Sequence, residues 1–438
     1  MASTYLTRTT GTPTSRQKFT VSTWFKLSDL TNNGIYGVDD NNGSNLILFV
    51  INSSNQLHFV DYTTSEQAKL TTTQLFRDTS AWYHVVLSVD STLATADDRC
   101  KIYVNGEQVT SFSARINPSQ NYNFNNDSTT TYVGQAENYS SSNFNGSMSH
   151  FHLIDGTAYD ATAFGEYDAN GVWKIKTSPS VTYGTNGFFI LKDGNSVTDQ
   201  SGNSNNFTVA GGTLTNTEDS PSNVFATMNP LFQSNGYASG NATSLDLSNG
   251  NTYAGKATHA TYFSTLGVST GKYYWEVKLE DTNSAIGVMA MRPTGGVTYL
   301  YDDATSNLYY PFSNYYYING TEGSSGSGDF DNTSNKIYSF ALDATNNKLW
   351  IGRDGTFVGD PVAGTGATWS SLPTGHDWTP VFHTMSASQN NNASFNFGNG
   401  YFGTTAVSSA GTNASGIGIF EYDVPTGFTA LSTKGLNL

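Results

Sequence analysis

The chain has 438 residues, too many for one ordinary domain, so two or three are expected. Charged residues are only 13%, aromatic residues reach 13% and glycine numbers 43, a composition of short strands and turns rather than helices or disorder. A net charge of −15 argues against nucleic acid or an anionic membrane as partner, since both need a basic footprint.

Cys100 is the only cysteine, so no intramolecular disulfide and no thiolate zinc site is expected. The start, Met1 to Arg8, has no apolar signal region, and no downstream stretch is long and apolar enough to insert in a membrane. That pattern fits assembly in a bacterial cytoplasm.

In chain order, Phe19, Val21, Phe25 and Leu27 alternate with Thr20, Ser22 and Trp24, the pattern of a half-buried antiparallel strand. Tyr83, Val85, Leu87 and Val89 repeat it, and Asn105-Gly106 joins two further strands as a hairpin. The segments Phe19 to Lys26, Trp82-Tyr-His-Val85 and Ile102-Tyr-Val-Asn-Gly106 together resemble laminin-G-like (concanavalin A-like) sandwiches. This resemblance implies a two-sheet jelly roll over residues 1–160, in a superfamily where both carbohydrate binding and purely structural use occur. Asp39, Asp40 and Asn42 form a loop rich in hard oxygen ligands, a candidate calcium site of the kind such domains carry at a rim. The competing reading is an acidic solvated turn.

Residues 161–232 lose periodicity, yet Trp173, Phe188, Phe189 and Phe207 need burial, so an ordered extension packed back on the first sandwich is expected. The run from Ser149 to Leu231 carries turn signatures at His150 to Gly156, Phe164-Gly-Glu166, Tyr183 to Phe188, Asp199 to Asn203, Asp219-Ser-Pro221 and Asn229-Pro-Leu231. Together they resemble the module that follows a laminin-G-like sandwich in virion proteins of tailed bacteriophages. The implied place of work is the virion surface.

Residues 233–400 open a second sandwich. Tyr273, Trp275, Val277 and Leu279 alternate with Tyr274, Glu276, Lys278 and Glu280, which predicts an amphipathic strand. Gly271 to Lys278, Ser339 to Asp343 with Lys348 to Ile351, Asp354-Gly355, and Thr379 to Phe382 with Phe395 to Gly398 occur in the order that resembles SPRY domains. That resemblance implies another all-β sandwich and a peptide- or protein-binding module. Residues 401–438 form a C-terminal closing segment, in which Phe420 to Leu431 resembles the segment that follows such modules in phage proteins.

Seven tyrosines fall within nineteen residues: Tyr299, Tyr301, Tyr309, Tyr310, Tyr315, Tyr316 and Tyr317. Tyrosine joins a flat apolar ring to a polar tip, so the cluster is a candidate ligand-binding surface. Alternate packing into a sandwich core is the competing reading. Trp369 and His376 form a second candidate loop.

Glucanases of sandwich fold use a Glu-x-Asp-x-x-Glu strand, and here Glu166-Tyr-Asp168 and Glu421-Tyr-Asp423 both lack the third carboxylate. No catalytic residues are therefore assigned. The expectation is an all-β protein of two antiparallel β-sandwich domains joined by a turn-rich ordered extension, non-catalytic. Its partners would be other virion proteins and a host-surface glycan or protein, with a homo-oligomer expected from the symmetry of particles. Capsid or tail decoration is the alternative to a fibre or tail-tip adhesin, and a polysaccharide depolymerase ranks below both.

Overall fold

Strand Lys18–Leu27 places Phe19, Val21, Phe25 and Leu27 in a hydrophobic core, as its alternation predicts. Its opposite face is buried as well, with Trp24 and Thr20 shielded from solvent. The computed structural model describes residues 4–40, 44–127, 130–136, 142–192, 197–234, 246–256, 260–292, 299–385 and 391–437. Among these, strands dominate and helix is confined to short 3-10 turns.

The chain divides into two units, residues 1–216 and 217–438. In the first, a sheet described with six strands packs on one described with eight, and their facing side chains form one core. Asn105 and Gly106 both take positive φ, 48° and 89°, the geometry that a two-residue hairpin turn needs. The following strand is shorter than the sequence suggests, Glu107–Gln108, and Phe112–Ile116 crosses to the eight-stranded sheet beside Ser65–Leu75.

Segments beyond residue 161 complete both sheets. Phe188–Ile190 pairs with Gly146–Asp155, and Thr208–Gly211 pairs with Tyr5–Thr9. Ahead of both in the chain, Phe164, Trp173 and Tyr183 lie over the outer face of the six-stranded sheet, against Val86 and Ile154. On the other sheet, a Cβ at Gly37 would come within 1.8 Å of the Ala136 carbonyl oxygen, so glycine is what lets that segment cross so closely.

The second unit is a sandwich of sheets described with seven and eight strands, with Lys272–Leu279 between Lys336–Asp343 and Asn391–Asn396. Tyr274 and Glu276, read from sequence as a solvent face, are buried. The closing segment explains this: Phe420 meets Tyr274 edge-on at 4.9 Å, and Thr429–Ala430 adds a parallel strand to Lys272–Leu279.

Chains of residues 1–216 and 217–438 are each expected to unfold in one cooperative transition by calorimetry. A chain ending at Ala161 loses the partner strand Phe188–Ile190 and uncovers Val86 and Ile154. It is expected to aggregate and to show no such transition.

Candidate binding site

The tyrosine cluster is built on the hairpin Asn307–Tyr310 and Tyr315–Ile318, in which Leu308 faces Tyr317, Tyr309 faces Tyr316 and Tyr310 faces Tyr315. Strand alternation then splits the rings between two faces. Tyr309 belongs to the inter-sheet core, and Tyr316 packs against it. Tyr310, Tyr315 and Tyr317 go to the outer face, against Phe263, Met289 and Val381.

Of the seven candidate tyrosines, four are packed inside the unit, as the core-packing reading has it. Tyr309, Tyr310, Tyr315 and Tyr317 are buried, the most exposed of them at 9%. Trp369 is buried too, donating its indole N–H to the Tyr317 carbonyl at 2.8 Å. The physical reason is that both faces of this sheet are covered, so a tyrosine-rich strand has no solvent side. Tyr316 is half-buried and donates to Asp329 Oδ2 at 2.7 Å. His376 is not brought to the tyrosines; its ring meets Trp378 edge-on at 5.9 Å.

Like Tyr316, Tyr299 and Tyr301 are half-buried. Their rings stack at 4.9 Å with an interplanar angle of 9°, on a 3-10 turn, Leu300–Asp302, whose Leu300 is buried as an anchor. Tyr301 is backed by Tyr317 at 5.4 Å and meets His383 edge-on at 5.0 Å. Asp302 is half-buried, and burial together with the charge of Glu322 holds its carboxyl above the ordinary range. Glu322 is exposed, in register with Tyr317 across the Asn319-Gly320 turn. The patch therefore offers two parallel aromatic rings flanked by two carboxylates, a combination suited to stacking a ring and accepting hydrogen bonds from its hydroxyls or amine. Glu322 was missed in the sequence, although the Asn-Gly hairpin signal places it opposite Tyr317. Asp303, beside Asp302, is buried and accepts from Thr305 N and Oγ1.

Of the candidate calcium loop, two residues are described. Asp39 is buried in register with Leu46 and Thr130. Asp40 accepts from Asn45 Nδ2 at 2.8 Å and closes its own hairpin. Asn42 lies outside the described residues. Among the described residues no three His, Cys, Asp or Glu side chains converge on one point.

Two buried carboxylates are shifted strongly upward. Asp61 accepts from the Tyr122 hydroxyl at 2.7 Å and from Asn125 N at 3.0 Å. Burial raises it to about 6 against those hydrogen bonds. Glu276 accepts from Tyr274 Oη, Asn396 Nδ2 and the backbone N–H groups of Glu421 and Tyr422, all at 2.9–3.2 Å. Burial raises it to about 7, with the same donors pulling the other way. Both oxygens serve to hold a crossing segment. Of the sequence's carboxylate pairs, Asp168 caps its own turn through Asn170 N and Val172 N, and Asp423 holds Thr412.

Tyr309→Ala is expected to cost about 3–5 kcal/mol in denaturant unfolding, whereas Tyr299→Ala should stay within about 1 kcal/mol. Glu276 binds its proton more tightly folded than unfolded, so its contribution is full below about pH 4.5 and fades as pH rises through about 7. The second unit's unfolding midpoint should fall across that window, and Glu276→Gln should remove this component.

Residues 2–161 match the family described as the concanavalin A-like lectin/glucanases superfamily. No curated protein matches the chain. Among solved structures, the SPRY domain of human HERC1 aligns at 15% identity over 38% of this chain and 96% of its own, with a TM-score of 0.30. Domains LG4-5 of the mouse laminin α1 chain align at 10% identity over 90% of this chain and 85% of theirs, at 0.28. Domain 4 of AbnA, an extracellular arabinanase from Geobacillus stearothermophilus solved with arabinotriose, aligns at 19% identity over 33% of this chain and 63% of its own, at 0.25. The chain is thus an all-β protein whose residues 2–161 match a concanavalin A-like family.

Proposed function

We propose that the chain is a non-catalytic binding protein on the surface of a tailed-bacteriophage particle, recognising a host-surface glycan as a fibre or tail-tip adhesin. The observation that carries the binding role is the half-buried Tyr299–Tyr301 stack beside Asp302 and Glu322, backed by buried Tyr317 so that the rings are held before a ligand arrives. The lectin-containing superfamily matched by residues 2–161 supports the same class of ligand. The phage setting rests on the turn signatures from His150 to Leu231. Engagement of Glu276, Asp61, Asp168 and Asp423 in internal hydrogen bonds supports a role without acid–base chemistry.

A decoration role is the second reading. It is favoured by Leu231, 75% exposed on a bulge of the edge strand Met228–Ser234, an apolar knob of the kind that protein partners bury.

Fluorescently labelled protein is expected to bind host cells saturably and to compete with phage adsorption. Tyr299→Ala with Tyr301→Ala should weaken that binding at least about fivefold with the unit still folded by circular dichroism, given about 0.5–1.5 kcal/mol per stacked ring. Absence of saturable binding by the parent protein would transfer the assignment to decoration. Unchanged binding by the double variant would remove the site.

A further inference from the structure

The outer face of the first unit's six-stranded sheet carries a stacked row that neither the sandwich core nor the proposed site uses. His84 lies between Trp24, at 4.8 Å and 22°, and Trp173, at 5.9 Å and 24°. Trp173 comes from a separate hairpin, Gly165–Tyr167 with Trp173–Ile175. Its indole crosses Gly165, where a Cβ would lie 2.4 Å from the ring, and touches the Asn105-Gly106 turn, where a Cβ on Gly106 would lie 2.5 Å away.

The tautomer of His84 follows from its partners. Trp173 Nε1–H can only donate, and it points at His84 Nδ1 from 3.0 Å. Nδ1 is therefore the bare acceptor, and the ring proton sits on Nε2, which donates to Ser22 Oγ at 3.0 Å. No third arrangement satisfies both contacts. A second proton on the ring would have to go to Nδ1, where it would face the indole N–H.

We propose that this contact is an acid-sensitive latch: protonation of His84 Nδ1 removes the acceptor that holds Trp173, and the hairpin 165–175 lifts while the sandwich stays folded.

The surroundings favour the neutral ring. The titratable groups facing it from the packed elements include Lys26 on the neighbouring strand, Tyr103 and Glu107 on either side of the turn, His150 and His152 on Gly146–Asp155, Tyr159, Tyr183, Lys192, and Glu166, Tyr167, Asp168, Lys174 and Lys176 on the hairpin. Glu107 is engaged by the Tyr167 hydroxyl at 2.6 Å, and Glu166 and Asp168 face Lys176 and Lys174 at 3.9 and 3.8 Å. Burial alone draws His84 down to about 3, with no carboxylate opposing it. His152, whose Nδ1 lies 3.0 Å from the Tyr183 hydroxyl, is likewise held well below the ordinary imidazole value by burial and by His150, His84 and Lys192. The sign is that of a depressed base. Closure is at full strength above about pH 6.5, and it weakens about tenfold per pH unit below that, because only the open hairpin lets His84 take its proton.

Hydrogen exchange on the full-length protein tests this. Amides of residues 164–176, corrected for intrinsic rate, should show an opening equilibrium that rises about tenfold per unit from about pH 6.3 to about 4.8. Strand Lys18–Leu27 of the same sandwich should remain protected. In His84→Gln the amide oxygen accepts from Trp173 and the amide nitrogen donates to Ser22, with nothing left to titrate, so the slope should vanish. A flat wild-type profile overturns the latch, and so does a slope that survives in His84→Gln. Trp173→Phe keeps a ring and loses the donor, so opening should increase up to about tenfold above about pH 6.5 and its slope below that pH should weaken, whereas a full slope in this variant overturns the latch. Should His84→Gln fail to fold, the wild-type His84 ring titration by NMR decides. Neutrality at about pH 5 supports the latch, and a midpoint near about 6.5 overturns it.

Discussion

Strands that are apolar on both faces set the terms for everything else in this molecule. Lys18–Leu27 buries Val21 and Phe25 toward one side and Trp24 toward the other, and Lys272–Leu279 does the same with Trp275 and Tyr274. A sandwich can shield only one face of each sheet, so the second face must find cover from segments outside the sandwich itself. That demand accounts for the hairpin around Trp173, for the passage of Ala136 over Gly37, for the Leu300 turn over Tyr317, and for the closing segment over Tyr274. The segments that read as connectors are structural layers.

Irregular covering segments bring a second requirement, because their backbone N–H groups have no ladder partners. Single carboxylates meet it. Asp155 accepts from Thr14 N, Ser15 N and Asn186 N, Asp199 from Phe189 N, Ser201 N and Asn205 N, and Glu276 from Glu421 N and Tyr422 N. Each ties two or three stretches of chain at one point. Much of the acidity of this chain that lies inside it is thus structural, and the carboxylates left at the tyrosine patch, Asp302 and Glu322, stand out by contrast.

Legibility in the sequence followed the same division. Alternation around Phe19 and Tyr273 and the Asn105-Gly106 turn were readable because period and turn chemistry are local properties. Whether Tyr274 or Glu276 faced water was not, since that depends on Phe420, far along the chain. Tyrosine compounds the difficulty: Tyr299 and Tyr309 look alike in sequence, and only the Leu300 turn and the strand parity place one in reach of solvent and the other in the core. The Trp173–His84 contact joins residues 89 positions apart and leaves no local trace at all.

In the first unit the entering strand Tyr5–Thr9 lies antiparallel to the leaving strand Thr208–Gly211, with Tyr5 opposite Gly211. In the second, Phe225 bridges Ser432, and Val224 accepts from Thr433 N. Each unit is therefore entered and left at the same point, side by side. Tension drawn along the chain arrives at the open end of a short antiparallel ladder and breaks its hydrogen bonds one after another, instead of loading them together in shear. A protein tethered through its ends would yield first by peeling at these two seams, at low force, while the inner strands of both sandwiches carry almost none of the load.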